Sequence, residues 1–240
     1  MRIAVVSDVH ANLPALDAVI ESVGRVDAWW HCGDVVDYGP HPDEVVARLR
    51  DLGAQGVLGN HDAAALGSSV LEWFNPYAQV ACLWTRERMA PATRRWLEAL
   101  PEQMTLDGWA LVHGSFRRPL EEYVEYPEEA AASMAISGAR LALHGHTHVP
   151  RAWRRSGRTA SDDGFTVGTP LALGGDTWFL NPGSVGQPRD HDPRAAALIL
   201  DTEAGTATLL RVPYDIARTQ ADIRKAGLPP ILADRLGVGR

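Results

Sequence analysis

The sequence lacks a long hydrophobic run. The longest uninterrupted apolar stretch in its 240 residues, Ala195 to Leu200, has six residues, whereas a membrane-spanning helix needs about 20. This excludes a transmembrane helix. Met1 to Val6 supply too few apolar residues for the hydrophobic region of a secretory signal. We therefore expect a cytoplasmic protein with no membrane partner.

Cysteine and positive charge are also scarce. Cys32 and Cys82 are the two cysteines, and neither lies in a CxxC spacing, which excludes a disulfide framework or a thiolate zinc site and favours two small buried side chains. Lys and Arg total 23 against 30 Asp and Glu, a net charge of −7. That balance disfavours a broad basic face for nucleic acid, so no stable nucleic-acid binding is expected. A local site for a small anion remains open.

Strand-like and helical patterns alternate in the N-terminal part of the chain. Strands are predicted at 2–7, 27–31 and 55–58, and helices at 13–23 and 42–52, an alternation typical of a parallel α/β sheet. Two helices separated at Pro91 are predicted within 73–100. Further strands are predicted at 103–113, 140–144, 149–155, 165–173, 177–181, 195–201 and 206–212, and these indicate a second sheet. Residues 213–240 are predicted to form a helical arm that packs on a single domain of residues 1–240.

Five short polar motifs follow the ends of predicted strands. They are Asp8-Val9-His10, Gly33-Asp34-Val35-Val36-Asp37, Gly59-Asn60-His61-Asp62, His113-Gly114 and Gly145-His146-Thr147-His148. Each motif alone is weak evidence, because such pairs occur freely in turns and caps. Ligands bind at the carboxyl ends of strands in open α/β sheets, so the five loops are expected to converge on one crevice.

The side chains of these motifs form a coherent set of metal ligands. The candidates are Asp8, His10, Asp34, Asn60, His113, His146 and His148. Carboxylate, amide and imidazole donors without thiolate suit Mn²⁺, Fe, Zn²⁺ or Ni²⁺. Seven ligands are too many for one ion. Two ions bridged by a carboxylate and a hydroxide would use them all, in the two-metal arrangement employed for phosphoryl displacement.

In order, content and spacing, these motifs resemble the calcineurin-like metallophosphoesterases, whose pattern is DxH, GDxxD, GNH[DE], a later His and GHxH. Asn181 to Asp190 resembles the NPGS-type loop of the small prokaryotic members. The resemblance implies a four-layer α/β/β/α sandwich of two mixed β-sheets flanked by helices. It also implies two divalent ions, with Mn²⁺ the first choice.

The resemblance further assigns roles to the motif residues. It implies that Asp8, His10 and His148 hold one ion, that Asn60, His113 and His146 hold the other, and that Asp34 bridges them. His61 is left uncommitted and would face the substrate as general acid or electrostatic stabiliser. Asp37 would orient His61 by accepting a hydrogen bond from its ring.

A charge count is consistent with an anionic substrate. Two divalent ions, two carboxylates and one bridging hydroxide leave a net charge of about +1, which attracts a phosphodiester monoanion despite the acidic chain. The ions would also lower the pKa of the bridging water, making hydroxide available for in-line attack on phosphorus. The predicted function is therefore a metal-dependent hydrolase of small phosphoesters.

The class of ester is predicted from a difference between this sequence and the phosphoprotein phosphatases of the superfamily. Eukaryotic-type phosphoprotein phosphatases of the superfamily continue GDxxD with Arg-Gly, whereas Tyr38-Gly39 follows Asp37 here. This favours the small phosphodiesterase-type members, with diesters preferred over monoesters. The alternatives are a phosphomonoesterase, a hydrolase of nucleotides or dinucleoside polyphosphates, and, in a different class, a non-catalytic metal-binding scaffold. A repair-type nuclease is disfavoured by the small size and acidic balance.

Residues outside the motifs receive simpler interpretations. His31 and His144 are predicted to be core residues, His41 and His191 loop residues, and Asn12 a helix N-cap. Arg117, Arg118 and Arg189 are candidates to reach a substrate phosphate, although arginines in such loops are usually solvated or paired. The aromatic cluster Trp73, Phe74, Tyr77 and Trp84 could cover the site, but its helical spacing favours ordinary packing. Specificity is expected to come from the loops around 67–80, 115–128 and 156–190.

Overall fold

The computed structural model describes residues 1–240 as twelve strands and eight α-helices. The strands are β1 (Arg2–Val6), β2 (Ala28–His31), β3 (Gln55–Gly56), β4 (Gln103–Leu106), β5 (Trp109–Val112), β6 (Leu141–Leu143), β7 (Arg151–Ser156), β8 (Thr159–Asp162), β9 (Pro170–Ala172), β10 (Thr177–Asn181), β11 (Ala195–Asp201) and β12 (Thr206–Val212). The helices are α1 (Leu13–Val23), α2 (Pro42–Asp51), α3 (Asn60–Leu66), α4 (Pro76–Arg88), α5 (Pro91–Glu98), α6 (Pro127–Ser137), α7 (Ile216–Lys225) and α8 (Pro230–Asp234). Single 3₁₀ turns cover Ser69–Trp73 and Arg235–Val238.

The strands form two six-stranded sheets of mixed direction. One has the order β3-β2-β1-β11-β12-β9 and the other β4-β5-β6-β10-β7-β8. The pairs β1–β2 and β2–β3 are parallel in the first sheet, and β5–β6 and β6–β10 are parallel in the second. The remaining pairs are antiparallel. The carboxyl ends of the parallel strands carry the loops that matter below.

Alternation along β1 shows why the sheets are buried on both faces. Ala4 and Val6 pack in a cluster with α1 and α2, whereas Ile3 and Val5 pack in a second cluster between the sheets. A third cluster joins the second sheet to α6. Because side chains of a strand alternate between faces, an apolar strand of this kind needs cover on both sides. The resulting order, helices, sheet, sheet, helix, confirms the predicted four-layer α/β/β/α sandwich.

Local chemistry explains the ends of α1. The Asn12 side chain accepts a hydrogen bond from the amide of Ala15 at 3.2 Å, and Gly24 ends the helix with a positive φ of 65°. An Asn N-cap and a glycine C-cap satisfy main-chain groups that the helix leaves unpaired. The predicted N-cap role of Asn12 is confirmed.

Several predicted elements differ from the observed ones. The strand predicted at 103–113 is a hairpin, β4–β5, because Asp107 and Gly108 adopt φ values of 47° and 81° and turn the chain. The strand predicted at 165–173 shrinks to β9. Helix α6 and strand β8 were not predicted, since the alanine-rich α6 has weak periodicity and β8 is mostly exposed.

Residues 213–240, the C-terminal arm, pack against α4 and the loop after β2. Ile223, Leu228, Leu232 and Leu236 share a buried cluster with Tyr38 and with residues of α4. No helix of the chain has both the length and the apolar character required to cross a bilayer.

Candidate metal centre

The five sequence motifs lie at one edge of the sandwich. Asp8 and His10 follow β1, Asp34 follows β2, and Asn60 and His61 begin α3 just after β3. In the other sheet His113 follows β5, and His146 and His148 follow β6. Because the carboxyl ends of parallel strands meet at one edge, the two sheets bring all the predicted site residues together.

The backbone of these loops is unusual. Ten non-glycine residues have a positive φ, and six of them are predicted site residues: Asp8, His10, Asp34, Asp37, His146 and His148. Left-handed backbone is disfavoured for residues with a Cβ and accumulates at functional sites, where the surrounding structure enforces it. The strain here is concentrated in the residues that carry the candidate donors.

Main-chain hydrogen bonds join the loops to one another. The amide of Asp8 donates to Gly33 O at 3.0 Å, and that of Gly145 donates to His113 O at 2.8 Å. Glycine permits the close approach at Gly59, where a Cβ would lie 2.0 Å from Oδ1 of Asp34. The loops are therefore held at distances that larger residues would prevent.

Four buried side chains form the first group of donors. Asp8, His10, Asp34 and His148 each offer one atom, and these atoms lie within 4.8 Å of one another. His10 Nε2 is 3.2 Å from His148 Nε2, which is 3.2 Å from Asp8 Oδ1. Two carboxylates and two imidazoles that converge in this way match the donor chemistry of a divalent transition metal.

A second group shares Asp34 with the first. Asp34, His113 and His146 again offer atoms within 4.8 Å of one another. The amide oxygen Oδ1 of Asn60 is 2.9 Å from His113 Nε2, which is 3.1 Å from His146 Nδ1. Six of the seven candidate residues thus fall into two groups that share Asp34, and the seventh, Asn60, lies beside the second group.

Main-chain carbonyls orient three of the imidazoles. Nδ1 of His10 donates to Val36 O at 3.2 Å, Nδ1 of His113 to Cys32 O at 2.7 Å, and Nδ1 of His148 to Gln187 O at 2.6 Å. In each ring this places the proton on Nδ1 and turns the Nε2 lone pair toward the cluster. Such outer hydrogen bonds fix the tautomer of metal-ligating histidines.

Unpartnered buried atoms test whether the donors fit metal ions. Asp34 Oδ1 accepts the amide of His61 at 2.8 Å and Asp8 Oδ2 accepts the amide of His146 at 3.2 Å. Their other oxygens, Asp34 Oδ2 and Asp8 Oδ1, are buried without a hydrogen-bond donor. Buried polar atoms are nearly always satisfied, so two free carboxylate oxygens facing imidazole nitrogens fit cations well.

Electrostatics favours the ligating forms of most donors. Burial, reinforced by His148, lowers the pKa of His10 well below 6.5, and burial with His113 does the same for His146. Burial opposes ionisation of Asp34, yet the His113 and His61 imidazoles keep its pKa well below the usual 3.8. The Asp34 carboxylate outweighs burial at His113 and raises its pKa to about 9. The cluster thus holds ionised carboxylates and neutral His10 and His146 imidazoles, and a metal ion would displace the proton of His113 on binding.

His61 is held apart from the two donor groups. Its Nδ1 is 2.5 Å from Asp37 Oδ2, and no protein atom accepts from or donates to its Nε2. The other oxygen of Asp37 accepts the amide of Tyr38 at 2.6 Å. Burial raises the pKa of Asp37, and the hydrogen bond from His61 opposes that rise. The pair has the geometry of an imidazole positioned by a carboxylate.

Supporting roles of Asp62 and Asn181 were not predicted. Asp62 accepts the amides of Val35 and Val36 at 2.9 and 3.0 Å and that of Gly59 at 3.1 Å, so it ties two motif loops together. Asn181 donates to Gly145 O at 2.7 Å. Asp62 ends the Gly59-Asn60-His61-Asp62 motif and Asn181 begins the NPGS-type loop. Their positions in these motifs could have indicated the supporting roles.

A cavity of about 210 Å³ opens beside this centre. Asn60 and His61 form part of its wall, and Trp73 and Phe74 form another part. The Phe74 ring lies 4.2 Å from the His61 ring, centroid to centroid. The prediction of ordinary packing is wrong for Trp73, which the 3₁₀ turn before α4 carries to the cavity, whereas Phe74 both packs against the core and lines the cavity. It holds for Trp84, whose indole donates to Ala226 O at 3.1 Å.

The candidate arginines separate into two kinds. Arg117 is exposed and paired with Glu122, and Arg118 is exposed, so neither lines the cavity. Arg189 does line it, together with Arg235 of the C-terminal arm and with Tyr38 and Tyr123. Arg235 was not predicted, since nothing in its local sequence distinguishes it from the other arginines of the arm. His31 and His144 are buried, as predicted.

Comparison with known proteins defines the class. Residues 1–205 match the calcineurin-like phosphoesterase superfamily domain, and the chain belongs to that superfamily. The crystal structure of a metallophosphoesterase from Sphaerobacter thermophilus is similar, with a TM-score of 0.92 and 42% identity over 100% of this chain and 99% of that one. An uncharacterized protein of Methanocaldococcus jannaschii is 34% identical over 99% of this chain and 98% of its own length. The phosphodiesterase YfcE of Escherichia coli is 25% identical over 83% of this chain and 87% of its own length.

Proposed function

We propose that this protein is a dinuclear metal-dependent phosphodiesterase acting on small phosphoesters. The observation that carries the proposal is the arrangement of six buried Asp and His donors in two groups that share Asp34, with the Asn60 amide oxygen beside the second group. Membership of a phosphoesterase superfamily supports the reaction class. The similarity to a phosphodiesterase supports the preference for diesters.

In this proposal each donor group holds one divalent ion. Asp8, His10 and His148 bind the first ion, Asn60, His113 and His146 bind the second, and Asp34 is shared. Mn²⁺ is the first choice, with Fe, Zn²⁺ or Ni²⁺ compatible with the same donors. When bound, such a pair of ions lowers the pKa of coordinated water and neutralises charge on phosphoryl oxygens.

The protein's own contribution to the reaction centres on His61. Its Nδ1 proton is held by Asp37, so Nε2 is the ring nitrogen available to the substrate. A protonated Nε2 would donate to the departing ester oxygen, and the buried Asp37 carboxylate would stabilise the imidazolium. General acid catalysis of this kind contributes about 10² to 10⁴ in rate. Phe74 and Tyr38, with ring centroids 4.2 and 4.5 Å from that of His61, restrict its orientation.

The test combines metal analysis with activity on paired substrates. Purified protein is loaded with Mn²⁺, its metal content is measured, and hydrolysis of bis(p-nitrophenyl) phosphate is compared with that of p-nitrophenyl phosphate. We expect about two ions per chain and faster turnover of the diester. Faster turnover of the monoester would replace the diester assignment with a phosphomonoesterase.

The variant His61→Ala tests the assigned role of that histidine. We expect unchanged metal content and a kcat lower by about 10² to 10⁴. Metal-loaded wild-type protein that is inert toward both esters would instead favour the non-catalytic scaffold.

A further inference from the structure

The cavity beside the candidate metal centre contains two arginines without an Asp or Glu partner. Arg189 follows β10 and Arg235 begins the last 3₁₀ turn, yet both line the same cavity as His61. No Asp or Glu side chain lies within 4.0 Å of either guanidinium, although the chain contains many arginine–carboxylate pairs. Half-buried guanidinium groups normally find an anion.

The acidic neighbours of both arginines are engaged elsewhere. Asp190, next to Arg189, pairs with Arg211. Asp234, next to Arg235, is 2.7 Å from the guanidinium of Arg224. The two carboxylates that could have neutralised the cavity arginines are therefore bound to other arginines. Neither cavity arginine therefore has an Asp or Glu side chain as its own partner.

The remaining contacts of the two arginines keep their charge in the cavity. Arg189 donates through Nη2 to Gln187 Oε1 at 3.0 Å, while its Nε is buried without an acceptor. Arg235 donates through Nε to the main-chain oxygen of Arg240. Burial, together with the charge of Arg189, lowers the pKa of Arg235 to about 10. Arg235 is still protonated at neutral pH.

Aromatic rings form the other walls of this cavity. Trp73, 64% exposed, presents its indole at the mouth. Tyr123 stacks on His146 with 3.9 Å between ring centroids, and Phe74 covers His61. Flat rings in a solvent-accessible cavity suit the stacking of a planar group such as a nucleobase.

We propose that this cavity is a subsite for a second anionic group and a flat ring, so that the preferred substrate is a nucleotide-like phosphodiester bearing an additional phosphate. The inference rests on the proposed function, because it places the reacting ester at the metal centre and the second phosphate on Arg189 and Arg235. Arg235 lies outside the residues matched by the superfamily domain. In this proposal the C-terminal arm supplies a specificity-determining residue.

A matched pair of substrates tests the subsite. The p-nitrophenyl ester of thymidine 5′-phosphate and its 3′-phosphorylated derivative share the scissile bond, the leaving group and the base, and differ by one phosphate. We expect Mn²⁺-loaded wild-type protein to prefer the 3′-phosphorylated ester at least 10-fold in kcat/KM, mainly through KM. Two charge-assisted hydrogen bonds justify a preference of about 10- to 100-fold.

Variants of Arg235 localise the effect. Arg235→Gln should lower the preference about 10-fold, and Arg235→Lys should restore part of it, since the charge is kept and the fork geometry is lost. The matched control is Arg218→Gln, an exposed arginine of the same arm, which should leave the preference unchanged. Equal turnover of the two esters by wild type, or an unaltered preference in Arg235→Gln, would overturn the subsite.

Binding separates this proposal from the proposed function. Calorimetric titration with thymidine 3′,5′-bisphosphate and thymidine 5′-phosphate needs no turnover. If neither ester is hydrolysed, the phosphodiesterase assignment fails, while tighter binding of the bisphosphate that Arg235→Gln abolishes still supports the subsite. Equal binding of the two nucleotides would refute it.

Discussion

His61 and Asp37 lie 2.5 Å apart, ring Nδ1 to carboxylate Oδ2, with both side chains nearly inaccessible to solvent. Asp37 is itself fixed by the amide of Tyr38. The Asp37 carboxylate therefore accepts a hydrogen bond from Nδ1 of His61 and keeps a proton on that nitrogen. The other nitrogen is directed to the cavity side of the site.

Asp37→Asn is expected to impair catalysis without removing metal. The amide can still accept the Nδ1 proton but does not stabilise an imidazolium, so kcat should fall about 10- to 100-fold, the usual effect of losing an outer hydrogen-bond partner. Metal content measured by elemental analysis should not change.

Combining Asp37→Asn with His61→Ala tests whether the pair acts as a unit. Residues that work through one another give non-additive losses. The double variant should be no slower than His61→Ala alone. A further 10-fold loss would show that Asp37 acts independently of His61.

The metal-centre residues were predictable because each stands in a short motif after a strand, and the topology of a parallel sheet brings such loops together. The cavity was not predictable in the same way. Arg235 and Phe74 belong to different parts of the chain, and their positions depend on how the C-terminal arm and the 3₁₀ turn before α4 pack. Packing of this kind leaves no periodic signal, and it also explains why the cavity position of Trp73 was not predicted.

Asp34→Asn and His10→Gln should have different effects on metal content. Asp34 belongs to both donor groups, whereas His10 belongs to one. Elemental analysis after Mn²⁺ loading should find both ions depleted in Asp34→Asn and about one ion lost in His10→Gln. His191→Asn, at an exposed loop position, is the matched control. Equal metal loss in the two ligand variants would contradict a shared Asp34.

Gly59→Ala should damage the centre by steric conflict alone. The added Cβ would lie 2.0 Å from Asp34 Oδ1 and 2.2 Å from Asp34 N, while the φ of −95° at Gly59 is compatible with alanine. Displacing the Asp34 loop should weaken metal binding and lower the free energy of unfolding by about 1–3 kcal/mol. Gly175→Ala, where a Cβ meets no atom within 4 Å, should change neither quantity in metal titration and urea unfolding.

His31→Phe should make the protein less sensitive to acid. Both ring nitrogens of His31 are buried without a partner, and burial lowers its pKa from 6.5 to about 4. Between these values the unfolded chain binds a proton that the folded chain does not, so this residue's contribution to stability is full above pH 6.5 and declines as the pH falls toward 4. The loss between pH 7 and pH 5 is on the order of 2 kcal/mol. Phenylalanine has a similar shape and no nitrogen to protonate, and it packs beside Trp96, whose ring centroid is 5.4 Å from that of His31.

Urea unfolding at pH 7 and pH 5 measures this difference. Other buried histidines destabilise both proteins in acid, so the informative quantity is how much less the variant loses than the wild type. Any overpacking by the larger ring shifts the variant's stability equally at both pH values and cancels from that comparison. The exposed His191→Asn variant should behave as the wild type does. If His31→Phe loses as much stability as the wild type between the two pH values, then His31 is protonated in the folded protein, and the apolar environment assigned to it is wrong.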